Sequence, residues 1–261
     1  MDNPQVLTSE NADFLSQIKL IATDMDDTLT HDGGFKAELL IALEKLQAVD
    51  LPVLIVTGRS AGWVSGLAHY LPVVGAIAEN GGVYVSKTHP EPSFLQPIDD
   101  GKLHRQKLAQ QFEILRQQYP HLTEATDNRF RLTDWTFDIT GLSSADLVWM
   151  ADSCKANGWG FIYSTVQCHI KPLSQEKAHG LGQVLGQDFP ALTRNQVLTV
   201  GDSPNDESLF DTGQFPHSVG VDNVKHYLDR LSHQPTYLTQ AEAGEGFCEL
   251  VNVLLRQKSP A

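Results

Sequence analysis

Five short apolar runs constrain this chain more than any other feature: IKLIAT at 18–23, PVLIV at 52–56, VVGAIA at 73–78, VLTV at 197–200 and SVGV at 218–221. Stretches with apolar residues at helical spacing stand between them, at 36–49, around 175–187 and near 204–212. A continuous apolar run of this length suits a strand buried on both faces. Its alternation with helices predicts βαβ units and a parallel sheet, so the chain reads as α/β. A last amphipathic helix near 246–256 is expected to pack on that sheet.

The middle of the chain follows another rule. Residues 87–101 (KTHPEPSFLQPIDDG) hold three prolines and predict a linker. A helix at 102–118, ending before Pro120, is followed by two candidate strands, NRFRLT at 128–133 and WTFDIT at 135–140. A helix at 143–157, capped by Ser143 or Ser144 and stopped by Gly158, leads to strands GFIYS at 160–164 and QCHIKP at 167–172. The order αββαββ predicts an α+β module with antiparallel strands. Residues 1–85 and 171–261 thus form a Rossmann-like parallel-sheet core, and residues 86–170 an inserted domain.

Acidic residues follow the first and fourth apolar runs. Asp24 and Asp26 stand two apart directly after the first, so period-two geometry sends them to one side. Ligands of open α/β sheets bind beyond the carboxyl ends of strands. Carboxylates gathered there suit a hard divalent cation, although solvated acids capping a helix would read the same way. Thr57-Gly58-Arg59-Ser60 ends the second run and combines a hydroxyl, a glycine and a helix start, either an anion site or a plain cap. Gly201-Asp202-Ser203-Pro204-Asn205-Asp206 ends the fourth run and brings two more carboxylates to the same edge. A lysine is needed to balance them. Lys171 and Lys177, the latter at the head of KAHGL in the helix that re-enters the α/β domain, are the candidates.

The formal charge of −13 disfavours nucleic acid or an anionic membrane as partner, while a local cation still permits a small anionic substrate. Three widely spaced cysteines, Cys154, Cys168 and Cys248, predict neither disulfides nor a zinc site and point to a reducing cytoplasm. No basic start with an apolar run marks a signal peptide, and no stretch approaches the ~18 apolar residues that span a bilayer. The ten histidines show no ligand spacing, so none is read as a metal ligand.

DxDxT, TGR, a lysine and GDxxND, in this order and each beside an expected strand, resemble the haloacid dehalogenase-like (HAD) phosphohydrolases along the whole chain. The inserted module resembles that superfamily's type IIB cap, as in mannosyl-3-phosphoglycerate and sucrose-phosphate phosphatases. The resemblance implies a Mg²⁺-dependent phosphatase acting on a sugar phosphate or related small phosphate ester, a monomer or small homo-oligomer. It implies Asp24 as nucleophile forming an aspartyl-phosphate and Asp26 as general acid/base. Thr57 and Lys177 would hold the phosphate. Asp24, the Asp26 backbone carbonyl and Asp202 would be Mg²⁺ ligands, supported by Asn205 and Asp206. Gly58, Arg59, Asn80 and Gly81 are expected near the substrate. Asp27 stands where many relatives have glycine.

In the insert, Arg129, Arg131 and Asp138 are candidates for selecting the leaving group, with Arg131 carried forward as substrate-binding; a solvated strand face is the plain alternative for each. Trp135 and Trp149 are expected in the cap core. The placement of the insert predicts a lid over the site. Two other functions remain open at this stage: a phosphomannomutase-like mutase, and a receiver-like phospho-acceptor that does not turn over.

Overall fold

The computed structural model describes residues 3–89, 91–164 and 167–258. The chain begins with β1 (Gln5–Val6), β2 (Leu20–Thr23), α1 (Ala37–Ala48), β3 (Val53–Val56), α2 (Ala61–Tyr70), β4 (Gly75–Ala78), β5 (Val83–Ser86) and β6 (Ser93–Phe94). The inserted part holds α3 (Gly101–Gln118), β7 (Trp135–Asp138), α4 (Ser144–Ala156), β8 (Trp159–Tyr163) and β9 (Gln167–Pro172). The chain then returns through α5 (Lys177–Asp188), β10 (Val197–Gly201), β11 (His217–Gly220), β12 (Tyr237–Leu238) and α6 (Ala243–Lys258).

The main sheet has the order β1-β12-β11-β10-β2-β3-β4-β5-β6. It is parallel from β1 to β4, and β5 and β6 add antiparallel. Period-two alternation divides the core. Leu20, Ala22, Leu54 and Val56 pack with Leu181 and Val184 of α5, while Ile21, Val53 and Ile55 pack with Leu43 of α1, Val64 of α2 and Leu250 of α6. The α/β reading therefore holds, with helices on both faces. Strand β2 lies between β3 and β10, so consecutive connections leave it in opposite directions. A crevice opens beyond the strand ends at such a switch point.

The inserted part folds on its own sheet, order β7-β9-β8, antiparallel throughout. Phe137, Cys168 and Ile170 meet Leu108 and Phe112 of α3 and Met150 of α4 in a separate core. Helix α4 starts at a Ser143–Asp146 capping box, and Gly158 past its end has φ +81°. Trp135 packs against this core, whereas Trp149 is 38% exposed. The free thiols Cys154 and Cys168 are buried. Among the described residues no helix is long and apolar enough to cross a membrane.

Three expectations are corrected. Residues 128–133 do not form a strand: Asn128–Phe130 is a 3-10 turn, and the sheet has three strands, not four. The cause is side-chain competition for the backbone. Asn128 donates to Thr136 O at 2.8 Å and accepts from Thr136 N at 2.9 Å, while Glu79 accepts the N–H groups of Leu132 and Thr133. The segment near 204–212 is a 3-10 helix, Pro204–Phe210, rather than α. Within the expected linker, Ser93–Phe94 pairs with β5, so the main sheet continues beyond residue 85. Pro90 of that linker lies outside the described residues.

Asn128→Ala should destabilise the protein by about 1–3 kcal/mol, because it removes the acceptor of the buried Thr136 N–H and leaves the Thr136 carbonyl with Ala125 N alone. Urea unfolding followed by tryptophan fluorescence measures this.

Candidate active site

The carboxyl ends of β2, β3, β4, β10 and β11 meet along one edge, and each delivers polar side chains there. Asp24 follows β2, and its N–H donates to Val200 O of β10 at 2.9 Å. Lys177, the first residue of α5, is 1% exposed. Its ammonium donates to Asp24 Oδ1 at 2.5 Å and to Asp206 Oδ1 at 2.6 Å. Lys177 thus meets the acids as expected. Lys171 instead donates to Gln175 O at 2.5 Å and borders an adjoining cavity of about 350 Å³, which Asn80, Lys177 and Asn205 also line.

Asp24, Asp202 and Asp206 are all buried and offer carboxylate oxygens within 4.8 Å of one another. Burial raises Asp24 most; Lys177 opposes it, Asp206 and Asp26 reinforce it, and the carboxyl is pushed up to about 8. Burial, Asp24 and Asp206 likewise hold Asp202 well above the carboxylate range. Burial works against the charge on Lys177, but Asp206 and Asp24 outweigh it and raise its pKa. Three carboxylates facing one ammonium leave two negative charges unbalanced when all are ionised. The ligand atoms are hard oxygens, so a hard divalent cation fits this set.

Asp206 serves the others. While Oδ1 holds Lys177, its Oδ2 accepts the N–H groups of Asp202 at 3.0 Å and Ser203 at 3.1 Å. Asn205 accepts from Ser203 Oγ and donates to Asn80 Oδ1 at 3.1 Å. Asp202 receives Thr28 Oγ1 and Asn223 Nδ2, each at 2.9 Å. Asn223 also donates to Asp27 O and accepts from Ala243 N, tying three loops together. Sequence reasoning missed Asn223. Its one signal was its position, just past the end of β11. Asp27 has φ +57°, which explains why glycine suits this place and why aspartate, tolerant of that region, can replace it.

Asp26 is gripped by Arg59 through Nε at 2.9 Å and Nη2 at 2.6 Å. Thr57 is fully buried at the end of β3, where its Oγ1 accepts from Arg59 N at 3.2 Å. Asp24, Asp26, Gly58, Arg59 and Asn205 line one small cavity of about 20 Å³ with Ser164, Gln167 and His169 of the insert. A Cβ on Gly58 would lie 3.2 Å from Asn80 Nδ2 and 3.3 Å from His169 Cε1, so the glycine admits both side chains. Gly81, at φ +95°, is pressed against α5: a Cβ would lie 2.1 Å from Glu176 O.

Arg131 does not face this cavity as a substrate group, which corrects the expectation. Its side chain is buried because its donors are committed: Nη1 reaches Asp134 and Gly58 O, each at 3.0 Å, and Nη2 reaches Asp127 at 2.9 Å. It fastens the insert to the TGR loop. Glu79 does the same from the core side, accepting Ala61 N, Leu132 N, Thr133 N and Thr133 Oγ1. Arg129 stacks over Phe130, and Asp138 is an exposed turn acid accepting from Thr140 N.

A carboxyl whose folded pKa lies above its unfolded value supports the fold at low pH and withdraws that support as pH rises. For Asp24 the window runs from about 4 to about 8. Asp24→Asn should therefore raise the melting temperature of the metal-free protein at pH 9, by on the order of 1–3 kcal/mol in stability. Calorimetry at pH 5 and pH 9 measures both the gain and its disappearance at the acid end.

Comparison with known proteins agrees with this arrangement. The family model described as haloacid dehalogenase-like hydrolase matches residues 21–134. A phosphoglycolate phosphatase of Methanothrix thermoacetophila is 26% identical, aligned over 90% of this chain and 96% of its own. A crystal structure from Thermoplasma acidophilum superposes with TM-score 0.73 at 18% identity, over 91% of this chain and 98% of that one. A sucrose-phosphatase from a Synechocystis species, solved with sucrose and phosphate, does so with TM-score 0.65 at 17% identity, over 91% and 98%. With its strand-end carboxylates, buried lysine and inserted sheet, the chain resembles the haloacid dehalogenase-like hydrolases, whose family model matches residues 21–134.

Proposed function

We propose that the protein is a Mg²⁺-dependent phosphatase that hydrolyses a hydroxylated phosphate monoester, a sugar phosphate or sugar derivative, through an aspartyl-phosphate. The observation that carries this reading is the Lys177 ammonium seated between Asp24 and Asp206 beside Asp202. Asp24 attacks phosphorus, a P–O bond forms to its carboxylate, and the ester P–O bond breaks. Asp26 gives its proton to the leaving alkoxide and then takes one from the water that hydrolyses the acyl phosphate. Arg59 orients Asp26 for both steps. Lys177 and Thr57 hold the phosphoryl oxygens. Asp24, Asp202 and the Asp26 carbonyl would hold Mg²⁺, with Asp206 and Asn205 in support. The ion would supply the positive charge that lets three buried carboxylates and a phosphate coexist.

The leaving-group class is supported by the insert's side of the small cavity. Ser164, Gln167 and His169 bring hydroxyl, amide and imidazole groups but no cation, which suits hydroxyls better than a carboxylate. A second reading, phosphoglycolate, is favoured by the names of the relatives and by Lys171, whose buried ammonium borders the adjoining cavity. A mutase or a phospho-acceptor without turnover would differ in product.

Assay of inorganic phosphate from sugar phosphates, phosphoglycolate and phenyl phosphate, with Mg²⁺ and with chelator, tests the reading. Activity should require Mg²⁺, and Asp24→Asn should lower turnover by about a thousandfold or more. An isomeric sugar phosphate in place of inorganic phosphate would instead show a mutase. Asn223→Ala, which releases Asp202 from one of its two orienting donors, should raise the Mg²⁺ concentration needed for half-maximal activity about 10–100-fold. Titration of initial rates against Mg²⁺ gives that number.

A further inference from the structure

The insert carries one more buried ionisable pair, placed against the same cavity. Strand β9 alternates, so Cys168 and Ile170 enter the cap core while Gln167, His169 and Lys171 share the opposite face. On that face Gln167 and His169 reach the cavity that holds Asp24 and Asp26. His169 is 1% exposed, and its Nδ1 lies 2.8 Å from Asp134 Oδ2.

Asp134 is fully buried, with both oxygens 3.0 Å from Arg131 Nη1. Burial alone would raise its pKa, but the Arg131 guanidinium beside it holds the carboxyl below its usual range. Asp134 is therefore an acceptor, and His169 Nδ1 carries the ring proton. Asn80 Nδ2, 3.3 Å from the same nitrogen, is a second donor and does not compete for that proton. Burial also outweighs Asp134 and lowers the imidazole pKa, so the ring is neutral at physiological pH. Nε2 is left with a lone pair on a ring that lines the cavity.

We propose that His169 is a specificity-determining residue, whose Nε2 accepts a hydrogen bond from a hydroxyl of the leaving group while Asp134 fixes the ring in that tautomer. The inference rests on the phosphatase reading and deepens it, because it names the group by which the insert reads the ester. A hydroxyl can donate to that lone pair. An alkyl or aryl leaving group leaves it unpaired, and a carboxylate meets it with repulsion.

The test compares kcat/KM for glycerol 1-phosphate and glucose 6-phosphate with that for propyl phosphate and phenyl phosphate. The proteins are the full chain and its His169→Ala, His169→Gln and His169→Asn variants, each with Mg²⁺. The full chain should prefer at least one hydroxylated ester by about tenfold or more, and His169→Ala should remove that preference, mainly through KM. His169→Gln, whose amide can reach the position of Nε2, should restore part of it; His169→Asn, which reproduces the Nδ1 end, should not. A preference that survives His169→Ala, a full chain without any preference, or an equal loss on all four esters would overturn the proposal. A ¹⁵N imidazole spectrum decides separately from turnover. If the full chain hydrolyses none of the esters, the phosphatase reading fails. The His169 proposal still stands or falls on whether the ring is protonated at Nδ1 and its Nε2 resonance moves when glycerol 1-phosphate is added.

Discussion

The ammonium of Lys177, buried between Asp24 and Asp206, is the contact on which the rest of the site depends. It joins α5 to the ends of β2 and β10, and so joins the part of the chain before the insert to the part after it. Without a cation at this point, three carboxylates would face one another in a region shielded from water, and neither burial nor Coulomb repulsion would permit it. Asp206 makes the arrangement possible at the level of the backbone. By accepting the N–H groups of Asp202 and Ser203, it shapes the turn that aims Asp202 at Asp24. Fold and chemistry are here one set of interactions.

The insert is held over the site by a second charged network of a different kind. Glu79 reaches from the end of β4 into residues 132–133, Arg131 reaches back to the carbonyl of Gly58, and His169 lies beside Asn80. Nearly every member is buried and paired, so the network fixes how the two sheets face each other. It also accounts for the small volume of the enclosed cavity.

What could be read from the sequence follows from range. The strands β2, β3, β4, β10 and β11 were legible because continuous apolar runs have few other uses, and Asp24, Asp202 and Lys177 because their neighbours in sequence are those strands and a helix start. The choice of Lys177 over Lys171 rested on the resemblance of KAHGL to the family's lysine pattern. Residues 128–133 misled because their residue types suit a strand, while their hydrogen-bond partners, Glu79 and the Asn128 side chain, are invisible to a local pattern. Arg131 misled for the same reason, since its partners Asp127 and Asp134 pull it inward. Asn223 lies 21 positions from Asp202, and His169 lies 35 from Asp134 and 89 from Asn80. No spacing rule connects such pairs.

The two networks carry opposite strain. In the insert Arg131 stands between Asp127 and Asp134, and the lowered pKa of Asp134 reflects that pairing. At the strand ends three carboxylates share one ammonium, and burial, reinforced by Asp206 and Asp26, raises Asp24. A protein selected for stability alone would replace one of those acids with a neutral residue. The shortage is useful because the missing positive charge is what a divalent ion can bring. The stable network in the insert supplies the rigid frame against which the unbalanced one can be kept.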